Sequence, residues 1–327
     1  MKILIIGGGP AGSITAKELS PFFDVTLIQY KKDFDKPCGG GVKTKLFEEF
    51  NLDKKLIKHS FSKIEMIYKN SIIPIDLKGK NLSIVNRKEF DAYLRKLAQI
   101  RGAKLFYGRL KKITENRAFI EFNKELVPFE FDILIAADGV NSTTRKLLNL
   151  PPIPYTITHY GITSKYKTQT CKFFFDKELG GEFYGWAFPK ENSTHIGSVK
   201  KENFLNLCKY LNINLKPKGY KIPTWEENII IQHKNVYFVG DAAGQVMPLS
   251  FEGIYYAMHS AKILANAILH KKNYQNEWNK RFLKEFKFLK FLEKINKTPL
   301  KSILINSHKI PFIQNLSINM WLGEKNV

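Results

Sequence analysis

The sequence predicts an α/β protein: a Rossmann-like dinucleotide-binding domain, an inserted antiparallel β-sheet that forms an α+β part, and a helical C-terminus. Three observations carry this prediction. A short apolar strand, Lys2 to Ile6, runs straight into Gly7-Gly8-Gly9-Pro10-Ala11-Gly12, and a helix pattern follows. Two later apolar runs, Phe131 to Ala137 and Asn235 to Val239, also end on paired Asp and Gly residues. Between them, residues 155–200 are rich in aromatic and β-branched side chains, which favour strands.

In chain order, Ala11 to Leu19 reads as a helix and Asp24 to Tyr30 as a second strand, which completes an opening βαβ unit. Pro37-Cys38-Gly39-Gly40-Gly41 is a glycine loop, and Lys43 to Phe50 has a helical pattern. Ser62 to Leu77 holds two strand-like runs joined at Lys69-Asn70. Arg87 to Arg101 is amphipathic, with Phe90, Leu94, Leu97 and Ala98 on one face and Gly102 as its C-cap. Residues 104–137 read as consecutive strands, Asn203 to Tyr210 as a short helix, and Gly253 to His270 as a helix rich in small residues. The three glycine-marked strand ends lie far apart in sequence, so the nucleotide domain is expected to be discontinuous: residues 1–57, 81–150 and 231–270. Residues 58–80 and 151–230 then form an inserted substrate-binding β domain, and 271–327 a C-terminal helical region.

The chain has 327 residues and 44% hydrophobic content, enough for one large domain or two packed ones. Its 52 basic and 30 acidic residues give a net charge of +22. Such a field favours anionic partners, or reflects a lysine-rich solvated surface. No nucleic-acid module accompanies the charge, so nucleic acid is not an expected partner. The cysteines Cys38, Cys171 and Cys208 form no paired spacing, which argues against a disulfide framework and for a reducing compartment. The apolar run at Met1 to Ile6 reads as a buried strand, not a secretion signal, and no run reaches a membrane span of roughly 18 residues. A cytoplasmic protein is expected, with attachment to the inner face of the membrane left open. The stretch Trp278 to Ile295 supports that option. It sets Trp278, Phe282, Phe286, Leu289, Leu292 and Ile295 on one helical face and lysines largely elsewhere, a pattern shared by interfacial helices and by helices packed on their own protein.

The chemistry starts at the glycine loop. Gly7, Gly9 and Gly12, with Pro10 and Ala11, form a G-x-G-x-x-G turn that lets backbone approach a pyrophosphate, and the next helix offers its N-terminal N–H groups to that anion. An acid is expected about 20 residues on to bind ribose. Here Gln29 and Tyr30 stand instead, and the Gln29 amide serves the same hydroxyl. A second buried strand delivers Asp138-Gly139 to a loop, with Ser142 and Arg145 opening a helix. A third delivers Gly240-Asp241, followed by Pro248 and Glu252-Gly253-Ile254. A carboxylate there suits a ribityl hydroxyl, and the Gly253 helix start suits a flavin carbonyl where negative charge develops on reduction.

These motifs in this order resemble the FAD-binding fold of the aromatic hydroxylases and their relatives. Arg87, in Arg87-Lys88-Glu89-Phe90-Asp91, matches an Arg-x-x-Phe-Asp segment whose Arg helps position FAD in that superfamily. Within it, Pro37 to Gly41 and Tyr184-Gly185-Trp186-Ala187-Phe188-Pro189 resemble two signatures of the geranylgeranyl reductase family. The resemblance covers roughly residues 1 to 270. It implies FAD as cofactor, with Gly40 and Gly41 beside it, and hydrogenation of C=C bonds in a prenyl lipid or prenylated quinone by hydride from the reduced flavin. Tyr184, Trp186 and Phe188 would line an apolar substrate tunnel or fill a sheet core, and Cys38 would gate the cavity or donate the proton. Phe251 stands where that family's loop usually has a small residue, and would crowd the flavin edge or shape the substrate pocket.

The seven histidines and the lone cysteines show no metal spacing, so no metal site is expected. No second G-x-G-x-x-G marks a nicotinamide domain, so NAD(P)H, a ferredoxin or a quinol remain candidate electron donors. The alternative activity on this scaffold is an FAD-dependent monooxygenase acting on an apolar or aromatic substrate.

Overall fold

The computed structural model describes residues 1–69 and 71–322. Asn70, in the expected link between two strands, and residues 323–327 of the expected C-terminal region lie outside the described residues. The chain divides into two compact units.

The first unit comprises Met1–Lys36, Arg87–Tyr155 and Ile222–Leu289. Its sheet has six strands in the order Gln232–His233, Val236–Phe238, Ile133–Ala136, Lys2–Ile6, Asp24–Gln29 and Lys104–Tyr107. All pairings are parallel except that of the Gln232–His233 edge strand. The central strands are almost wholly apolar because helices cover the sheet and both faces are buried. Parallel strands bring their carboxyl ends to one edge, so Gly7, Gln29, Asp138 and Gly240 meet there although they span more than two hundred positions. A three-stranded antiparallel meander, Arg109–Ile113, Arg117–Phe122 and Glu125–Glu130, completes the expected run of strands.

The second unit comprises Pro37–Asn86, Thr156–Lys221 and Lys290–Val327. Its larger sheet has seven strands in the order Lys218–Pro223, Tyr155–Thr163, Thr194–Val199, Gly185–Pro189, Cys171–Phe174, Lys63–Tyr68 and Ser71–Asp76. The sheet is mixed where a purely antiparallel one was expected, because Cys171–Phe174 and Lys63–Tyr68 pair in parallel. A smaller sheet joins Gly41–Lys43, Leu82–Val85 and Ile57–Phe61.

Four expectations change. Residues 37–57 and 81–86 cluster with the second unit, because Gly41–Lys43 pairs with Leu82–Val85. For the same reason Lys43 is strand, and the helix expected from it shortens to Leu46–Glu49. The C-terminal region is not a third body. Residues up to Leu289 belong to the first unit, and Ile305, Ile318 and Leu322 join the core of the second. The stretch from Trp278 is also broken. Helix Tyr274–Trp278 passes through a wider π-type turn, Asn279–Leu283, into helix Lys284–Asn296. Its apolar face is turned inward: Trp278, Phe282, Phe286 and Leu289 are buried, and Phe286 packs on Trp225 with ring centroids 5.4 Å apart. Leu292 and Ile295 of the same expected face are half-buried.

Candidate functional site

In the first unit the glycines are required by close approach. Gly7 has φ +106, and a Cβ on it would lie 2.2 Å from the Ala137 carbonyl oxygen. A Cβ on Gly12 would lie 1.8 Å from the Gly7 oxygen. Gly9 is different, since a Cβ there meets nothing within 4 Å. Gly9 caps helix Pro10–Leu19, which has Pro in its first turn and no side-chain cap. The first N–H groups therefore face an open position next to a glycine, which fits the pyrophosphate of a dinucleotide.

Gln29 is not free for a ribose in the way expected. Its Oε1 accepts from the Gly8 N–H at 2.8 Å, and its Nε2 donates to the Lys31 carbonyl at 3.1 Å. It thus stiffens the loop, with one N–H left for a hydroxyl. Tyr30 is exposed, with the Arg109 guanidinium 4.6 Å over its ring. Arg95 escaped the sequence reading. It is buried, and its guanidinium donates to the Gly8 carbonyl at 3.0 Å and the Lys32 carbonyl at 3.2 Å. The signal was available: Arg87, Asp91 and Arg95 recur every fourth position on the inward face of helix Arg87–Ile100. Arg87 itself forms a buried bidentate pair with Asp91, Nε–Oδ1 3.1 Å and Nη2–Oδ2 2.9 Å.

Asp138 receives the Thr144 N–H at 2.9 Å and the Thr144 hydroxyl at 3.0 Å, both on Oδ2. Its Oδ1 is buried without a hydrogen bond among the described residues, and burial pushes the carboxyl pKa up. An unpaired buried oxygen at the strand end suits a ligand hydroxyl. Gly139 has φ +82 with open space around it. Arg145 spans to the third motif, donating to the Ala242 carbonyl at 3.2 Å and stacking 4.6 Å over Phe238. Gly240 has φ +64, and a Cβ would meet that of Ala11 at 2.8 Å. Its N–H is held by Gln245 Oε1 at 2.8 Å, and Gln245 in turn donates to the Tyr274 hydroxyl at 2.7 Å. Asp241, expected at a ribityl hydroxyl, is ion-paired with Lys36. Pro248 and Glu252 lie in the loop before helix Ile254–Leu269, whose N-cap is Gly253. A Cβ on Gly253 would stand 3.5 Å from Asp241 Oδ1. Phe251 has φ +57 and Leu249 φ +72, so the backbone does adopt the glycine-like form on which the departure was noted.

Cys38, Gly40 and Gly41 belong to the second unit, apart from the other residues expected at the cofactor. There they meet the aromatic signature. A Cβ on Gly39 would lie 2.7 Å from the Phe188 ring, and one on Gly41 3.7 Å from it. Lys190 donates to the Val85 carbonyl at 3.2 Å, and its Nζ would lie 2.5 Å from a Cβ on Gly40. Cys38 is half-buried, and its Sγ accepts from the Gly40 N–H at 3.3 Å. Cys171 and Cys208 are buried, and burial pushes both thiol pKa values up, Cys208 to about 11, as inert structural cysteines require.

Trp186 and Phe188 lie on one face of the larger sheet, are each 9% exposed, and pack with Tyr184, Phe173 and Trp321. They are core residues of this unit as well as candidates for substrate contact. The same face holds His195, which the sequence reading passed over. Its imidazole is buried, and burial, with the Lys190 charge second, pushes its pKa down to about 3. The folded state therefore refuses a proton that the unfolded chain accepts below pH about 6.5. Stability should fall as pH drops from about 6.5 toward 3, by at most about 1.4 kcal/mol per pH unit from this group. Urea unfolding at pH 7, 6, 5 and 4 tests this: His195→Phe should lose stability less steeply than the natural protein.

Comparison with known proteins follows the same lines. Residues 1–164 match the FAD binding domain family. Among curated relatives, the chloroplastic geranylgeranyl diphosphate reductase of Nicotiana tabacum is 27% identical, covering 99% of this chain and 81% of the relative. The digeranylgeranylglycerophospholipid reductase of Methanocaldococcus jannaschii is 25% identical, covering 87% and 80%. Among solved structures, a geranylgeranyl bacteriochlorophyll reductase-like protein of Thermoplasma acidophilum superposes with TM-score 0.75 at 18% identity, covering 98% of each chain. A flavin-dependent brominase superposes with TM-score 0.79 at 13% identity, covering 99% and 94%. At such identities these two structures share the fold.

Proposed function

Because the chain belongs to the FAD binding domain family and, within it, to the geranylgeranyl reductases, it is an FAD-dependent oxidoreductase, and we propose that it hydrogenates C=C bonds of a prenyl lipid or prenylated quinone. The observation that carries this reading is the packing of the Phe188 ring against the Cys38 loop. It unites, within one unit, two signatures separated by about 150 positions.

Reduced FAD, when bound, supplies a hydride equivalent to one alkene carbon. The chain's own residues do the rest. The open helix end at Gly9 takes the pyrophosphate, and Asp138 and Asp241 take hydroxyls of the ribose and ribityl portions. Gly40, Gly41 and Arg87 are the further candidates for cofactor contact, with Phe251 toward the substrate. An isolated alkene is unpolarised, so a proton must reach the second carbon. The Cys38 thiol is the group we assign to that step, losing its proton as the C–H bond forms. Tyr184, Trp186 and Phe188 supply apolar surface that excludes water. NAD(P)H, a ferredoxin or a quinol would restore the reduced flavin. Leu300, Ile303, Ile310, Phe312 and Leu316 are exposed on and beside helices Lys301–Ser307 and Pro311–Leu322, and they are the surface we assign to contact with a lipid layer.

Anaerobic incubation with geranylgeranyl diphosphate and dithionite should yield products heavier by multiples of two hydrogens. Cys38→Ala should retain flavin and lose turnover by roughly 10²–10⁴-fold. Oxygen consumption coupled to substrate, with an oxygenated product, would instead establish the monooxygenase alternative.

A further inference from the structure

His195 sits in strand Thr194–Val199, opposite Phe188 on one neighbouring strand and Ile162 on the other. Its ring lies nearly parallel to that of Tyr160, with centroids 5.1 Å apart and planes at 8°, and edge to edge with that of Trp186, at 6.2 Å and 10°. Gly197 makes room for the indole, since a Cβ there would fall 2.1 Å from it. The Trp186 Nε1–H donates to His195 Nδ1 at 3.1 Å. An indole nitrogen only donates, so Nδ1 carries no proton and the neutral ring holds its proton on Nε2. That Nε2 is buried and has no hydrogen-bond partner among the described residues. Leaving a buried donor unmade costs stability, yet here a second residue is positioned to orient it. Two neighbours reach solvent: Tyr160 is half-buried and Ile162 is exposed, so an incoming ligand has a way to the ring by displacing them.

We propose that His195 is a specificity-determining residue whose Nε2–H donates to an uncharged oxygen on an otherwise apolar substrate, such as the alcohol, ether or ester oxygen at the end of a prenyl chain. An uncharged oxygen fits because the ring is neutral and its surroundings are aromatic, where an anion would be desolvated without a partner. The assignment rests on the prenyl reading, and adds a polar subsite to it.

The test uses the FAD-loaded protein and two probes, geranylgeraniol and the C20 hydrocarbon in which CH3 replaces its CH2OH. Affinities are read from tryptophan fluorescence. The natural protein should prefer the alcohol about tenfold, and His195→Phe, which keeps a stacked ring, should lose that preference without weakening hydrocarbon binding. On the natural protein, nitrogen-15 NMR should find the Nε2–H tautomer, with its proton moved downfield by the alcohol and not by the hydrocarbon. Equal affinity of the natural protein for both probes, equal losses in the variant, or the opposite tautomer overturns the subsite while leaving the prenyl reading intact. Binding of neither probe overturns the prenyl reading and the subsite with it. The NMR arm needs no variant, so it decides the matter even where His195→Phe fails to fold.

Discussion

Gly12→Val should yield a protein that is colourless and also less stable, whereas Gly9→Val should yield one that is colourless but folded. The difference lies in what a side chain would meet. At Gly12 the first added carbon falls 1.8 Å from the Gly7 carbonyl oxygen, which is backbone and cannot rotate away. Gly7 in turn is pressed against Ala137, so the loop, the first strand and the Asp138 strand would all have to shift. Overpacking of this kind costs about 3 kcal/mol, which should lower the thermal midpoint by roughly 6–12 °C. At Gly9 a Cβ meets no protein atom, and φ is −77, so the apo fold should tolerate it. What it fills is the space in front of the uncapped helix end, where the pyrophosphate is received. Flavin released on denaturation and the melting curve of the apo protein report the two effects separately. Full flavin content in Gly9→Val would show that the anion binds elsewhere.

Asp91→Ala should lower the stability of the first unit by about 3–5 kcal/mol. Arg87 and Asp91 side chains are each only 4% exposed, and they exchange two hydrogen bonds one helical turn apart. Removing the carboxylate leaves a guanidinium that cannot be neutralised in a site with little water. Urea unfolding measures the loss. The double replacement Arg87→Leu with Asp91→Leu should recover most of it, because an apolar pair of similar volume carries no desolvation cost. If the single replacement changes stability by less than about 1 kcal/mol, the pair behaves as an exposed one and its burial has been misjudged. Flavin content in the same proteins separates stability from cofactor positioning, since Arg87 is the residue matched to that role.

The nucleotide-binding half was legible in the sequence for a local reason. A parallel strand buried on both faces must be continuously apolar, and a position where a Cβ would fall within about 2–3 Å of other backbone must be glycine. Both demands fall on consecutive residues, so Lys2 to Gly12, Phe131 to Gly139 and Asn235 to Asp241 can be read without knowing what lies beside them. Phe251 stood out as a bulky residue where a small one is usual, but its left-handed backbone was not foreseen.

Whatever depends on a partner distant in sequence was not legible. Gln29 looked like a ribose ligand and proved to hold the Gly8 N–H. The face of Trp278, Phe282 and Phe286 suited a membrane surface or the protein's own core alike, because periodicity cannot say which apolar surface a helix meets, and here it meets Trp225 and its neighbours. The boundary after Lys36 followed from one strand pairing, Gly41–Lys43 with Leu82–Val85. His195 gave no sign at all, because a histidine's tautomer is set by the group across the sheet and not by its chain neighbours. By itself the sequence determined the dinucleotide fold and its pyrophosphate loop, through steric and burial constraints that act on adjacent residues. Only the tertiary structure decided that Cys38 and Phe188 share one unit, that Lys36 answers Asp241, and that a neutral imidazole stands among the aromatic rings, since each of these depends on long-range pairing of strands and charges.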